Sequence, residues 1–196
     1  MQDSGNIITL YPVVLAVPDE GRSLSGRDRV AYLSRYARRA LEISAKKSGV
    51  KVTSFLKDSD GIPQPVDGNY WSITHKPEYV GAVLAPKKIG IDIEKFRTFS
   101  KGLFKKTADE SEWRLEDEDP DTLFFRYWTS KEAILKAAGT GVKDLLRCRI
   151  VKIISETKLI ANYMDKDWMI DHLFFNGHIA SVVENSCRVS WSLLKD

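Results

Sequence analysis

The chain has 196 residues, of which 43% are hydrophobic and 29% charged, and its formal net charge is +3. This composition builds a globular core and excludes a disordered or fibrous chain, while the length suits one large domain or two small, closely packed ones. The charge is too small to argue for a nucleic-acid partner, and the two cysteines, Cys148 and Cys187, make neither a disulfide framework nor a zinc site and fit a reducing cytoplasm.

The first element is an apolar, β-branched run from Ile7 to Ala16, read as a strand. It is a poor leader peptide, because no basic residue precedes it, Asp3 does, and Pro12 interrupts it. No segment is long and apolar enough to cross a membrane. Ser25 or Asp28 opens a helix in which Ala31, Leu33, Tyr36, Ala40, Leu41 and Ile43 recur at helical spacing. Its neighbourhood is rich in cations, including Arg27, Arg29, Arg35, Arg38, Arg39, Lys46 and Lys47, either a solvated face or a docking surface for phosphates.

A turn-rich stretch from Asp58 through Asp60 to Pro65 leads to strands at Tyr70 to Thr74, Tyr79 to Ala85 and Ile89 to Glu94. Ser100 to Trp113 reads as helical, an acidic loop with Pro120 follows, and helices are predicted from Asp121 to Trp128 and from Thr129 to Ala138, closed by Gly139 and Gly141. The tail is strand-rich: Arg149 to Ile154, Lys158 to Tyr163, Trp168 to Phe175, His178 to Val183 and Arg188 to Leu194. A faint repeat lays Tyr79 to Lys95 on His178 to Lys195 as two hairpins, but the second copy lacks the carboxylates of the first.

Two segments carry chemistry. In Lys88-Ile89-Gly90-Ile91-Asp92-Ile93-Glu94, alternation puts the isoleucines on one face and Gly90, Asp92 and Glu94 on the other. Two carboxylates so close repel unless a cation relieves them, and magnesium is commonly held by one or two carboxylates plus phosphate oxygens. Gly90 would leave room beside them for a ligand; a solvated outer face is the bland reading. In Trp128-Thr129-Ser130-Lys131-Glu132-Ala133-Ile134-Leu135-Lys136, Thr129 and Glu132 read as a capping box and Glu132 with Lys136 as a surface ion pair. Lys131 reads either as a member of the same site or as a solvent-facing helix lysine. The functional reading makes Glu132 a metal ligand or general base and Lys136 a phosphate grip.

Together the two segments resemble the signature of the 4′-phosphopantetheinyl transferase superfamily: Ile89-Gly90-Ile91-Asp92-Ile93-Glu94 matches hydrophobic-Gly-hydrophobic-Asp-hydrophobic-Glu, and Trp128 to Lys136 matches Trp-Ser/Thr-x-Lys-Glu-Ala/Ser-x-x-Lys. Trp71-Ser72-Ile73-Thr74-His75 is similar to the family's Asn-hydrophobic-Ser-His. The resemblance implies a larger, Sfp-type α+β pseudo-dimer of two similar α/β halves, 1–98 and 99–196, each an antiparallel sheet packed against a long helix. It further implies a cytoplasmic monomer that moves phosphopantetheine from coenzyme A to a serine of an apo acyl or peptidyl carrier protein, releasing 3′,5′-ADP.

By that resemblance Asp92, Glu94 and Glu132 hold Mg2+ (or Mn2+), Glu132 and Lys136 are catalytic, and Arg39, Thr74, His75 and Lys136 hold coenzyme A, with Arg35 and Arg38 as substitutes for Arg39. No nucleic-acid or membrane partner is implied. The chain departs from the pattern at Lys76-Pro77, where the family often has Ser-Gly, and at Gly61-Ile62-Pro63, where it has Gly-Lys-Pro. Competing readings are another magnesium-dependent phosphate enzyme, which the absence of a Gly-rich phosphate loop disfavours, and a non-catalytic binding module, which the retained carboxylates disfavour. A nucleic-acid binder built on the Arg-rich helix would instead bind with strong salt dependence.

Overall fold

Pro12 breaks the first apolar run, because proline cannot donate to a ladder: β1 (Thr9–Leu10) and β2 (Val13–Ala16) enter different sheets. The computed structural model describes residues 7–52, 54–59, 61–98 and 101–195. Asp3, Asp60 and Ser100, read above in the leader, the turn and the middle helix, lie outside them.

The chain continues through α1 (Asp19–Ser23), α2 (Gly26–Lys47), β3 (Tyr70–His75), β4 (Tyr79–Ala85), β5 (Ile91–Lys95), α3 (Lys101–Thr107), α4 (Glu110–Trp113) and α5 (Pro120–Ala138). After a 3₁₀ turn at Val142–Arg147 come β6 (Arg149–Ser155), β7 (Lys158–Tyr163), β8 (Lys166–Phe175), β9 (His178–Val183), β10 (Arg188–Val189) and β11 (Ser192–Leu194). The fold is mixed α+β, as the sequence predicts. Apart from the two-stranded parallel pair β1-β10, one sheet has the order β11-β2-β4-β3 and the other β5-β9-β8-β7-β6. The second is antiparallel throughout, whereas β11 joins β2 in parallel.

Each sheet buries one long helix. The predicted helical spacing on α2 places Leu33, Tyr36, Ala37, Ala40 and Leu41 against Val13, Leu15, Trp71, Val80 and Leu84. On α5, Tyr127, Ala133, Ile134 and Ala137 join the core of Ile91, Ala161, Ile170 and Val182.

The two expected hairpins do not form. β4 pairs with β2 and β3, while β5 crosses to the other sheet and pairs with β9. In the tail, β11 crosses the opposite way to β2. The carboxylate strand is thus carried out of the first half and laid beneath α5.

The helix start also differs. Asp119 caps α5 by accepting from the Thr122 N–H, Pro120 sits in the first turn, and the helix runs unbroken to Gly139, whose φ of 76° suits a left-handed cap. Thr129 is mid-helix, where its hydroxyl donates to Phe125 O at 2.7 Å and lies 2.6 Å from Ser181 Oγ. The capping box lies instead at Asp109 and Glu112 on α4, and it interrupts the middle helix.

Gly90 has a role other than the expected space for a ligand. A Cβ there would stand 1.9 Å from the Ala133 carbonyl oxygen and 2.9 Å from Ala137 N. Only glycine lets α5 lie this close to the chain entering β5. Gly90→Ala is expected to push strand and helix apart and to cost about 1–3 kcal/mol, read as a lower urea midpoint at unchanged slope.

Candidate active site

The two sheets meet where β3 runs beside β5, and side chains join them: Ser72 Oγ accepts from Ile91 N at 3.3 Å, and Thr74 Oγ1 donates to Asp92 Oδ1 at 2.9 Å. The predicted alternation on β5 aims Asp92 and Glu94 at α5, and both are buried, at 5% and 8% exposure. On α5, spacings of four residues align Trp128, Glu132 and Lys136 over them.

Lys136 Nζ donates to Asp92 Oδ1 at 2.8 Å and to Ile91 O at 3.0 Å, so it pairs with the strand and not with Glu132 as the surface-pair reading has it. Asp92 Oδ2 is buried without a hydrogen-bond partner. Glu94 Oε1 accepts from Lys76 Nζ at 2.7 Å and from Trp128 Nε1 at 3.2 Å. Glu132 is half-buried, and burial, reinforced by Asp92 and Glu94, pushes its carboxyl above the usual range, although Lys136 and Lys76 pull the other way.

A cationic rim surrounds these carboxylates. Burial lowers the His75 imidazole, and the charges of Lys136, Lys76 and Lys57 lower it further. Burial also lowers Lys57, with Arg38 and Lys136 adding to it. Like charges gathered in this way favour an anion among them. Of the candidate arginines, Arg38 is the one whose charge acts on Lys57, whereas Arg39 lays its guanidinium over the Tyr36 ring at 5.6 Å.

Lys57 is absent from the sequence reading. The turn-rich stretch is a hairpin in which Lys57 bridges Pro63, Gln64 N donates to Leu56 O at 2.9 Å, and Trp71 Nε1 ties Gln64 O at 2.8 Å. Pairing this stretch as a hairpin would have set Lys57 across from Pro63, next to the position where Ile62 replaces a lysine.

Lys131 is not solvent-facing. It is fully buried, with Nζ 2.6 Å from Glu112 Oε1 and 2.7 Å from Thr107 O. It ties α5 to α3 and α4 and lies outside the carboxylate cluster.

Among the described residues no group of three His, Cys, Asp or Glu side chains forms a ready cage for a metal ion. Two of the carboxylates are held by lysines instead. The donor set nonetheless fits a hard cation. Asp92 offers a buried oxygen with no partner, and magnesium needs only one or two protein carboxylates when phosphate and water complete its shell. The arrangement can therefore accept a diphosphate, hold a cation against it, and take a proton at Glu132.

Residues 88–183 match the family model described as the 4′-phosphopantetheinyl transferase superfamily. A 70-residue stretch is 41% identical to the 4′-phosphopantetheinyl transferase HetI of Nostoc sp., covering 33% of this chain and 30% of the relative. A 100-residue stretch is 31% identical to the 4′-phosphopantetheinyl transferase Sfp of Bacillus subtilis, covering 49% of this chain and 44% of the relative. The chain thus spans less than half the length of either relative. Among the described residues no helix is long and apolar enough to cross a membrane.

Proposed function

Because this chain belongs to the 4′-phosphopantetheinyl transferase superfamily through residues 88–183, we propose that it transfers phosphopantetheine from coenzyme A to a serine of an apo carrier protein, with 3′,5′-ADP as the leaving product. The observation that carries this reading is the alignment of Asp92, Glu94 and Glu132 beneath one end of a cationic rim, with one Asp92 oxygen free.

Asp92 and Glu94, joined by Glu132, would hold Mg2+, or Mn2+ in its place. The ion would supply neutralisation of the diphosphate and of the charge growing on the leaving group. Lys136, which lies on Asp92, grips the diphosphate as a point charge. His75, Lys57 and Arg38 receive the remaining phosphate charge, and Thr74 keeps Asp92 oriented.

Glu132 is the base. Its raised carboxyl takes the proton of the serine hydroxyl as the serine oxygen bonds to the phosphorus next to pantetheine. The bond from that phosphorus to the bridging oxygen breaks, and 3′,5′-ADP leaves with the electron pair. The reading extends to a cytoplasmic monomer built from duplicated halves, 1–98 and 99–196. The reciprocal crossing of β5 and β11 supports that duplication.

The test is intact-mass spectrometry of several apo carrier proteins after incubation with this protein, coenzyme A and Mg2+, with and without EDTA. A gain of one phosphopantetheine that EDTA abolishes is expected. Coenzyme A binding without mass gain on any carrier would favour a binding module instead.

A further inference from the structure

The cation opposite Glu94 comes from an unexpected place. Lys76 stands where the family pattern often has an uncharged residue before glycine, and it follows the end of β3. Its backbone is fixed: Lys76 N donates to Tyr79 O at 2.7 Å, and Pro77 holds the preceding residue extended. Glu78, the nearest carboxylate in sequence, is engaged by Lys95 and leaves the Lys76 ammonium to Glu94.

That ammonium sits 2.7 Å from Glu94 Oε1, with its side chain 29% exposed and that of Glu94 11% exposed. Lys136 satisfies Asp92 in the same way, but it belongs to the motif helix and has Ile91 O as a second acceptor. Lys76 is the additional cation. A divalent ion drawn to Glu94 meets an oxygen already neutralised and a like charge at contact distance.

We propose that Lys76 is a built-in competitor for the divalent-cation site, an ammonium that holds Glu94 until metal displaces it and so sets the metal concentration the protein needs. The inference rests on the metal reading given above. Displaced from Glu94, the ammonium remains on the cationic rim, beside His75, where a phosphate of the substrate can take it up.

The test is titration of the full chain with Mn2+ alone, followed by electron paramagnetic resonance of the free ion, for wild type, Lys76→Met, Lys76→Arg and Asp92→Asn, each checked for fold by circular dichroism. Lys76→Met keeps the stem and removes the charge, so it is expected to bind Mn2+ on the order of tenfold tighter. Lys76→Arg keeps the charge and is expected to bind as weakly as wild type, and Asp92→Asn to bind more weakly still. Equal or weaker binding by Lys76→Met, with wild type binding normally, would overturn this inference alone. No binding by wild type or Lys76→Met, or binding that Asp92→Asn leaves unchanged, would overturn it together with the metal reading.

Discussion

Glu132→Gln is expected to lower phosphopantetheine transfer by roughly 10²–10⁴-fold, the span that a positioned general base supplies, with a thermal midpoint that does not fall. The side chain makes no hydrogen bond or ion pair among the described residues, so the isosteric amide leaves the packing of α5 untouched. Its contribution is electrostatic. Burial and the charges of Asp92 and Glu94 hold the carboxyl above its ordinary value, which makes the carboxylate a stronger base than an exposed glutamate. In the metal-free protein the carboxylate form is lost as pH falls through that raised value, above the usual carboxylate range; a divalent cation held there would draw the carboxyl down again. Asp92→Asn removes one of the charges responsible, so in the metal-free protein the Glu132 carboxyl is expected to titrate at lower pH in the variant, read by NMR of the carboxyl carbon. Near-normal turnover by Glu132→Gln would remove Glu132 from the base role.

The sequence makes parts of this arrangement legible because short-range periodicity decides them. Alternation along Ile89 to Glu94 is enough to put Asp92 and Glu94 on one side of a strand, and spacings of four put Trp128, Glu132 and Lys136 on one stripe of a helix. What periodicity cannot report is the partner across the gap. Lys136 can reach either Glu132 along its own helix or Asp92 on β5, and only the crossing of β5 into the second sheet decides for Asp92. That crossing is a long-range event, and the hairpin expected between β4 and β5 was the locally reasonable choice. Gly90 carries the same ambiguity. A strand glycine signals a close approach, but whether of ligand or of backbone depends on what lies above it, here the Ala133 carbonyl. Thr129 carries a good local capping signal, and Asp119-Pro120 upstream carries a better one, continuous with the apolar stripe of Leu123 and Tyr127.

Lys131 is the clearest case of a residue whose neighbours in sequence conceal its environment, and it carries the largest expected effect on stability. Lys131→Met is expected to cost about 3–5 kcal/mol, because it strips the counter-charge from a buried carboxylate. Glu112 is 2% exposed, accepts from Ile150 N at 2.8 Å and Asp109 N at 3.0 Å, and meets Lys131 Nζ at 2.6 Å. The Ile150 bond joins α4 to β6 and the Asp109 bond closes the cap of α4, so an unpaired Glu112 weakens the whole arm that α3 and α4 lay against α5. The stack of Trp113 on Tyr127, with centroids 5.0 Å apart, belongs to the same contact. Burial depresses the Lys131 ammonium and Glu112 opposes that depression, which is the signature of a pair whose members depend on one another. A double-mutant cycle with Glu112→Gln separates the pair from the packing. If the two charges sustain each other, the double variant is more stable than the sum of the single losses allows, since neither charge is then stranded. Urea unfolding of the four proteins gives the cycle, and additive losses, or a loss below about 1 kcal/mol for Lys131→Met, would show that the arm is held by its aromatic contacts and not by the buried pair.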